Sequence, residues 1–219
     1  MGGALVLLSG GMDSAVCLYR AVADHAPTRV KSVFFDWSQR ALARELSAAR
    51  ALCAATGVAE PHIVEVRFPY GGGLTEPGAP LARGRSTDEI GAGGTADTFF
   101  PGRNLVFLSY AFGMAAVSGH TDVYLGAGAD DTAGYPDCRG DFLASMEHAA
   151  RLGLDCARLS LVLPLIDLDK EGIVSLGDSL GVPWDLSFSC YAPENGEHCG
   201  VCDSCVLRES VLGGRSDRM

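Results

Sequence analysis

The sequence predicts an α/β protein in which helices cover a parallel β-sheet. Short apolar runs alternate along the 219 residues with longer stretches of helical periodicity, an order typical of βαβ units. A glycine turn at residues 9–14 joins the first apolar run to the first helical stretch. Closely spaced cysteines follow near the carboxyl end, within residues 190–205. These features predict an open parallel sheet followed by a small carboxyl-terminal element.

The individual elements follow from the spacing of apolar residues. Strand-like runs lie at residues 4–8, 30–35, 62–66 and 122–126. Helical patterns lie at residues 14–24, 39–56, 103–118, 140–152, 170–180 and 203–211. Asp169 is a suitable N-cap for the helix predicted at 170–180, and Gly181 is a suitable residue to end it.

Residues 71–94 interrupt this alternation, because they are rich in Gly, Pro, Ser and Thr and have no periodicity. A long loop of this kind inside a compact domain is usually a lid or is disordered. The sequence therefore predicts an ATP-binding α/β domain over residues 1–185 with a mobile lid at 71–98. A metal-binding element with a terminal helix is predicted at 186–212, and a tail at 213–219.

The turn after the first strand has the composition of an anion-binding loop. Its glycines allow the backbone to approach a ligand closely, and its hydroxyls and free helical N–H groups can hold an anion. The loop contains no lysine, so it is not the common G-x-x-x-x-G-K-[ST] triphosphate loop. Its S-G-G-x-D-S pattern instead resembles the PP-loop ATP pyrophosphatases, which cleave ATP between the α and β phosphates. The ATP-binding residues predicted here are Leu8, Ser9, Gly10, Gly11, Met12, Asp13 and Ser14.

Further candidate ligands of the phosphates lie at two predicted helix starts. Arg103 and Asn104 open a long helix, where their donors suit a phosphate or a ribose; simple capping and surface charge is the alternative. Lys170 is one of only two lysines in a chain with 17 basic residues. A compact ammonium kept there, at a helix start, is a candidate cation for ATP.

Four cysteines have the spacing of a metal site, C-x8-C-x2-C-x2-C. Four thiolates at this spacing favour a closed, structural zinc site, and an iron–sulfur cluster is the alternative. The predicted ligands are Cys190, Cys199, Cys202 and Cys205.

Charge and hydropathy exclude several classes of partner. The net charge of −10 disfavours broad contact with a nucleic-acid backbone, so no direct nucleic-acid partner is expected. No apolar stretch approaches the roughly 18 residues of a membrane span, and no signal peptide is apparent. We expect a cytoplasmic protein without membrane contact, in the form of a homodimer.

Taken in order, these motifs resemble the QueC family of 7-cyano-7-deazaguanine synthases. The similar stretches lie at residues 9–14, 36–40, 98–107, 134–142, 163–174 and 189–208. The resemblance implies an adenine nucleotide alpha hydrolase-like (PP-loop, Rossmann-like) fold with a zinc-binding element. It also implies an ATP-dependent carbon–nitrogen ligase that uses Mg²⁺ to adenylate 7-carboxy-7-deazaguanine. Ammonia then gives the amide, and a second ATP leads to the nitrile, with AMP and pyrophosphate as by-products.

The resemblance also suggests roles for individual residues. Asp13, Lys170 and Arg103 are the candidate catalytic residues, and Asp13 could bind the metal or orient the loop. Aspartate can pair with a guanine edge and arginine with a carboxylate, although Tyr135 could equally be a core tyrosine. The candidate substrate-binding residues are Gln39, Arg40, Tyr135, Asp137, Cys138 and Arg139.

The chain departs from the family pattern at Trp37-Ser38, which stand where the family usually has Tyr-Gly, and at two further positions. Ala41 stands where the family usually has His, and Ala129 where it has Glu. Both changes remove a titratable group, which concerns the later steps more than adenylation. An alternative is therefore a paralog that passes the activated acid to another amine, such as a protein partner in anti-phage defence. A non-catalytic binding module is disfavoured by the intact loop and Lys170.

Overall fold

The computed structural model describes residues 2–92 and 94–214. In this part of the chain five strands form one parallel sheet in the order β3-β2-β1-β4-β5. The strands are β1 (Ala4–Leu7), β2 (Val30–Asp36), β3 (His62–Glu65), β4 (Asp122–Tyr124) and β5 (Ser160–Val162). The predicted parallel α/β sheet is confirmed, and β5 is the strand that the sequence patterns did not indicate.

Helices connect and cover the strands. They are α1 (Met12–His25), α2 (Leu42–Thr56), α3 (Thr87–Gly91), α4 (Arg103–Ser118), α5 (Asp131–Gly134), α6 (Gly140–Gly153), α7 (Lys170–Leu180) and α8 (Asp203–Leu212). The Asp169 cap is confirmed, because its Oδ1 accepts a hydrogen bond of 2.8 Å from the Gly172 N–H. Gly181 ends α7 with a φ of +75°.

The start of α2 differs from the prediction. The sequence pattern predicts a helix from residue 39, whereas α2 begins at Leu42. Ser38 has a φ of +67°, which no helix accommodates. The Gln39 side chain bonds to the strand end instead: its Nε2 donates to Phe35 O and its Oε1 accepts from Trp37 N. A tight turn therefore replaces the first predicted helical turn.

The sheet is buried on both faces, as expected for parallel strands joined by helices. Along β1, Ala4 and Val6 pack toward α1 and α7, while Leu5 and Leu7 pack toward α4 and α6. A third, smaller apolar cluster lies between the start of α2 and the cysteine element. Among the described residues, no helix combines the length and the apolar character needed to cross a membrane.

The strand order reverses between β1 and β4. Ala4 of β1 aligns with Val30 of β2 on one side and with Asp122 of β4 on the other. In open α/β sheets, ligands bind at the carboxyl ends of the strands where the order reverses. The turn that follows β1 is the predicted phosphate loop, so the fold places it at this crevice.

The predicted lid is more ordered than the sequence suggested. Residues 71–98 contain α3, whose N-cap Ser86 forms a reciprocal capping box with Glu89. Leu74 is buried in the main core. The expected absence of regular structure is therefore wrong for Thr87–Gly91, because a local cap stabilises a helix too short to show periodicity. The mobility of this segment stays a prediction. Residues 1, 93 and 215–219, which belong to the predicted domain, lid and tail, lie outside the described residues.

Candidate functional site

The phosphate loop depends on a glycine that no other residue can replace. Gly10 has a φ of +86°, and a Cβ at this position would lie 2.4 Å from the backbone oxygen of Glu45. The loop therefore packs directly against the first turn of α2. Gly126, shortly after β4, is also close to α1, since a Cβ there would lie 3.0 Å from the backbone carbonyl carbon of Asp13. Small residues thus bring α1, α2 and the sheet edge together.

Serine hydroxyls hold the loop in shape. Ser14 Oγ accepts a hydrogen bond of 3.1 Å from Gly10 N and donates one of 3.0 Å to Gly11 O. Ser9 Oγ accepts from Gly11 N at 3.3 Å. Gly11 is the N-cap of α1 and provides no side-chain cap. The positive end of α1 is therefore available to an anion.

Lys170 is brought to this loop by the start of α7. Its Nζ lies 2.9 Å from Asp13 Oδ2, and its backbone N–H donates to Asp130 Oδ2 at 3.1 Å. Burial alone would lower the pKa of Lys170, but the negative charges of Asp13 and Asp131 raise it above its usual value. Lys170 is therefore a permanent cation beside the loop.

Carboxylate oxygens at the same place suit a magnesium ion. Asp13 Oδ1 is buried and has no hydrogen-bond partner among the described residues. Asp131 lies close enough to interact with both Asp13 and Lys170, and burial raises the pKa of this carboxyl group. Magnesium prefers oxygen ligands of this kind. The unpartnered Asp13 oxygen, with Asp130 and Asp131 nearby, fits the predicted Mg²⁺.

Two cavities meet at the phosphate loop. The larger has a volume of about 1000 Å³ and the smaller about 180 Å³. The predicted residues that line the larger cavity are Gly11, Met12, Asp13, Tyr135 and Lys170. Those that line the smaller one are Leu8, Ser9, Ser14, Gln39, Arg103 and Asn104. The structure thus brings the predicted ATP-binding residues together along one path.

Two of the predicted substrate-binding residues form hydrogen bonds within the protein. Gln39 Nε2 donates to Phe35 O and to Glu45 Oε2, at 3.1 and 3.0 Å. Arg40 Nη1 donates to the carbonyls of Gly73 and Ala79. Gln39 therefore orients Glu45, and Arg40 attaches the residue 71–98 segment to the domain.

The Tyr135–Arg139 region is also divided between roles. Tyr135 lines the larger cavity, and its hydroxyl hydrogen-bonds to that of Thr98. Asp137 is buried, and its Oδ2 accepts from the Asn104 N–H at the start of α4. Cys138 Sγ accepts from Asn104 Nδ2 at 3.4 Å, and Arg139 Nε donates to Thr132 O. Of this group, Tyr135 is the residue positioned to contact a ligand in the larger cavity.

Several cavity residues could not be found from the sequence. Glu45, on α2, lines both cavities, and burial raises its pKa to about 7. Ser189 Oγ accepts a weak hydrogen bond of 3.4 Å from Met12 N, at the start of α1. Arg85 and Asp203 form an ion pair at the rim of the larger cavity. Glu45 and Arg85 lie outside the motifs that carry the family resemblance, and Ser189 and Asp203 lie within the stretch 189–208. Their places in the cavity wall are set by the folded arrangement.

The four predicted metal ligands converge. The Sγ atoms of Cys190, Cys199, Cys202 and Cys205 all lie within 4.8 Å of one another. Backbone N–H groups point at two of these sulfurs: Cys199 N donates to Cys190 Sγ and Cys202 N donates to Cys199 Sγ. Such bonds stabilise thiolates. Four convergent soft ligands with no open position fit a structural metal.

Comparison with known proteins identifies the family. A family model described as "Queuosine biosynthesis protein QueC" matches residues 3–214. The chain belongs to the QueC family. The resemblance inferred from the motifs is therefore confirmed.

QueC relatives match almost the whole chain. A "7-cyano-7-deazaguanine synthase" of Trichodesmium erythraeum is 42% identical over 212 residues, covering 94% of this chain and 93% of the relative. One of Anaeromyxobacter sp. is 43% identical over 211 residues, covering 94% and 89%.

A solved structure supports the predicted PP-loop fold class. The U34-tRNA thiolase NcsA from Methanococcus maripaludis superposes with a TM-score of 0.50 at 14% identity. The match covers 95% of this chain and 63% of the thiolase chain, so this chain spans less than two thirds of that protein. At this identity the likeness concerns the fold alone.

Proposed function

We propose that this QueC family member is a 7-cyano-7-deazaguanine synthase. In this reaction ATP adenylates the carboxylate of 7-carboxy-7-deazaguanine, pyrophosphate leaves, and ammonia displaces AMP to give the amide. A second ATP activates the amide oxygen, and loss of AMP leaves the nitrile. The single observation that most supports the proposal is the Lys170–Asp13 ion pair. It places a half-buried cation and a carboxylate beside the loop, where the strand order of the sheet reverses.

The proposed path of ATP runs from the smaller cavity to the larger one. Phe35 and Phe107 stack at 4.2 Å between ring centroids in the wall of the smaller cavity, which suits a nucleoside. Arg103 lies over the Trp37 ring at the same cavity. The phosphates would then follow Ser9–Ser14 toward Lys170. Negative charge that develops on the phosphates during adenylation would be stabilised by the Lys170 ammonium.

The proposed magnesium ligand is Asp13, assisted by Asp130 and Asp131. When bound, the ion would neutralise phosphate charge and orient the α-phosphate. Lys170 already neutralises part of the carboxylate cluster in the protein itself. This arrangement lets a cluster of acids lie next to an anionic substrate.

The larger cavity is the proposed site of the deazapurine acid. Tyr135 and Tyr191 both line it, and burial raises the pKa of Tyr191 well above its usual value, so its hydroxyl stays a hydrogen-bond donor. A flat aromatic ring and hydroxyl donors suit a purine-like base. The other predicted substrate residues, Gln39, Arg40, Asp137, Cys138 and Arg139, would act mainly by holding the walls of the site.

The four-cysteine centre is proposed to hold structural zinc. Its ligands come from the loop before α8 and from α8 itself, and their cluster includes Phe188 and Ala41. The metal would thus fix the wall of the larger cavity. Cytoplasmic location, a homodimer and the absence of nucleic-acid contact stay predictions from the sequence.

The proposal is tested by identifying the products. The protein is incubated with ATP, Mg²⁺, 7-carboxy-7-deazaguanine and ammonium, and the products are read by mass. We expect the nitrile together with AMP and pyrophosphate. Lys170→Met should abolish the formation of nitrile and the release of AMP and pyrophosphate. Lys31→Met changes the chain's other lysine, an exposed residue of β2, and should leave these products unchanged. Release of ADP and phosphate by the unaltered protein would contradict the assignment.

A further inference from the structure

Glu45 occupies a special position between the two cavities. Of the residues that the structure describes, it is the one that lines both the smaller and the larger cavity. It lies in the first turn of α2, and its backbone oxygen packs against Gly10 of the phosphate loop. A group at this junction faces the place where a nucleotide in one cavity meets an acid in the other.

The carboxyl group of Glu45 is held in a fixed orientation. Its Oε2 accepts a hydrogen bond of 3.0 Å from Gln39 Nε2. Gln39 cannot turn away, because its amide also bonds to Phe35 O and Trp37 N. From α4, the guanidinium of Arg103 is the charged group that faces Glu45. A carboxyl group fixed in this way is preorganised, because its hydrogen bonds hold it in one orientation.

The surroundings also bring the protonation equilibrium of Glu45 close to neutrality. Burial raises its pKa to about 7, although Gln39 and Arg103 both oppose the shift. A general base works best when its pKa lies near the working pH, since both protonation states are then accessible. Glu45 combines this property with its place at the cavity junction.

We propose that the Glu45 carboxylate accepts the proton lost by the attacking ammonia when the acyl adenylate is converted to the amide. The inference rests on the proposed function. The ammonia lone pair forms the new C–N bond, and the nitrogen becomes positively charged. One N–H proton passes to Glu45, and the C–O bond to phosphate breaks as AMP leaves with its electron pair.

The position of Glu45 also answers a question raised by the sequence. The family His is replaced by Ala41, which lies one helical turn before Glu45, and Glu45 N donates to Ala41 O at 2.9 Å. Residues four apart lie on the same helix face. Glu45 thus supplies a titratable group on the face of α2 where the chain departs from the family pattern.

The test separates the two half-reactions. Adenylation is followed as pyrophosphate release without ammonia, and amide formation by adding ammonia to the preformed adenylate. The pH is varied at a constant concentration of free ammonia. Glu45→Gln should slow amide formation by about 10²-fold and lower pyrophosphate release far less. Wild-type amide formation should fall below neutral pH, and the variant should lose this dependence.

Two further variants serve as controls. Glu45→Asp keeps a carboxyl group and should restore part of the rate and the pH dependence. Glu60→Gln removes an exposed glutamate that lies 3.5 Å from Arg50, outside both cavities, and should behave as wild type.

The inference is overturned if Glu45→Gln forms the amide at the wild-type rate with the same pH profile. Equal loss of pyrophosphate release and amide formation also overturns it, because Glu45 would then act on ATP. Failure of the proposed function looks different: the unaltered protein itself would release no pyrophosphate with the acid and ATP.

Discussion

Lys170 and Asp13, which are 157 positions apart, form an ion pair with 2.9 Å between Nζ and Oδ2. The contact joins the first turn of α7 to the first turn of α1. The side chains are 17% and 27% exposed, so water screens the pair only in part. Lys170 is therefore both a candidate phosphate ligand and the counter-charge of an acidic cluster.

Lys170→Met should abolish pyrophosphate release and also destabilise the fold, because it leaves Asp13 beside two other aspartates. We expect a loss of about 2 kcal/mol in the free energy of unfolding, below the cost of breaking a fully buried pair. Adding Asp13→Asn to Lys170→Met should recover most of this stability but no activity. Lys170→Arg should be impaired, since a guanidinium does not replace a compact ammonium. Denaturant unfolding and pyrophosphate assays measure both effects, and equal stability of the single and double variants would contradict the charge explanation.

The cysteine centre should contain about one zinc per chain. Cys202→Ser should lower the folded yield strongly, because metal binding contributes directly to folding. Cys156→Ser is the matched control, since Cys156 is half-buried and lies outside the cluster. Elemental analysis and circular dichroism provide the measurements. A brown protein that contains iron would show that the alternative cluster, rather than zinc, occupies the site.

Two arginines attach the residue 71–98 segment to the cysteine element. Arg85 makes a double hydrogen bond to Asp203, which is only 10% exposed on its side chain. Arg83 pairs with Glu194 at 3.3 Å, with side chains 48% and 63% exposed. Bidentate, partly buried pairs are stronger than exposed ones.

Arg85→Ala should therefore speed amide hydrogen exchange in residues 86–98 by about tenfold, as expected for a loss of about 1.4 kcal/mol. Arg83→Ala should change exchange little, because an exposed pair contributes about 0–1 kcal/mol. Hydrogen–deuterium exchange with mass analysis compares the two variants directly. Equal effects would show that the backbone bond from Gly84 N to Val201 O, rather than the ion pair, holds the segment.

The raised pKa of Glu45 predicts a specific pH dependence of stability. The folded state holds the proton up to about pH 7, whereas the usual value of this group is 4.5. Between these values the folded state binds more protons, so stability falls as the pH rises. Glu45→Gln should remove this decline. The stability of the variant minus that of the wild type should thus be larger at about pH 8 than at about pH 5. Thermal melts across this range measure the effect, with Glu60→Gln as the control. If Glu45→Gln shows the same decline as the wild type, Glu45 is not responsible.

Most of the secondary structure followed from local patterns, because long apolar periodicities and glycine ends act within one element. The start of α2 did not follow from local patterns, because Ser38 has a positive φ and Gln39 bonds to the end of the preceding strand. The strand β5 was not indicated by the apolar runs and is defined by its pairing with β4. The order of the strands likewise depends on contacts between distant segments.

The candidate site was predictable where it depends on motifs. The residues of the phosphate loop are consecutive in the chain, and the four cysteines lie within residues 190–205, so each motif is visible in the sequence. To predict that Lys170 lies beside Asp13, a hypothesis about the family and the fold was needed, because the two residues are far apart in the chain. Glu45 gave no signal, because its importance comes from lying between two cavities that the chain forms only when folded. The family resemblance suggested Asp137 as a substrate ligand, whereas its bond to the Asn104 N–H is a tertiary contact that no local pattern reveals.

The departures at Ala41 and Ala129 should have different consequences, and neither should prevent nitrile formation. Ala41 is 3% exposed and packs with Phe188, Cys190 and Cys202. Ala41→His should overpack this cluster and cost about 1–3 kcal/mol in stability.

Ala129 instead lines the larger cavity, so Ala129→Glu can be accommodated without disturbing the core. Because Asp130, Asp131 and Glu45 already supply titratable groups around this cavity, we expect Ala129→Glu to change nitrile yield per adenylate by less than tenfold. The loss of a needed general acid or base would correspond to about 10²–10⁴. Ala133→Glu, which adds the same charge elsewhere on the cavity wall, controls for electrostatics. A rise of 10² or more in the nitrile yield with Ala129→Glu alone would mean that the missing carboxylate limits the reaction, because the control excludes a general effect of charge.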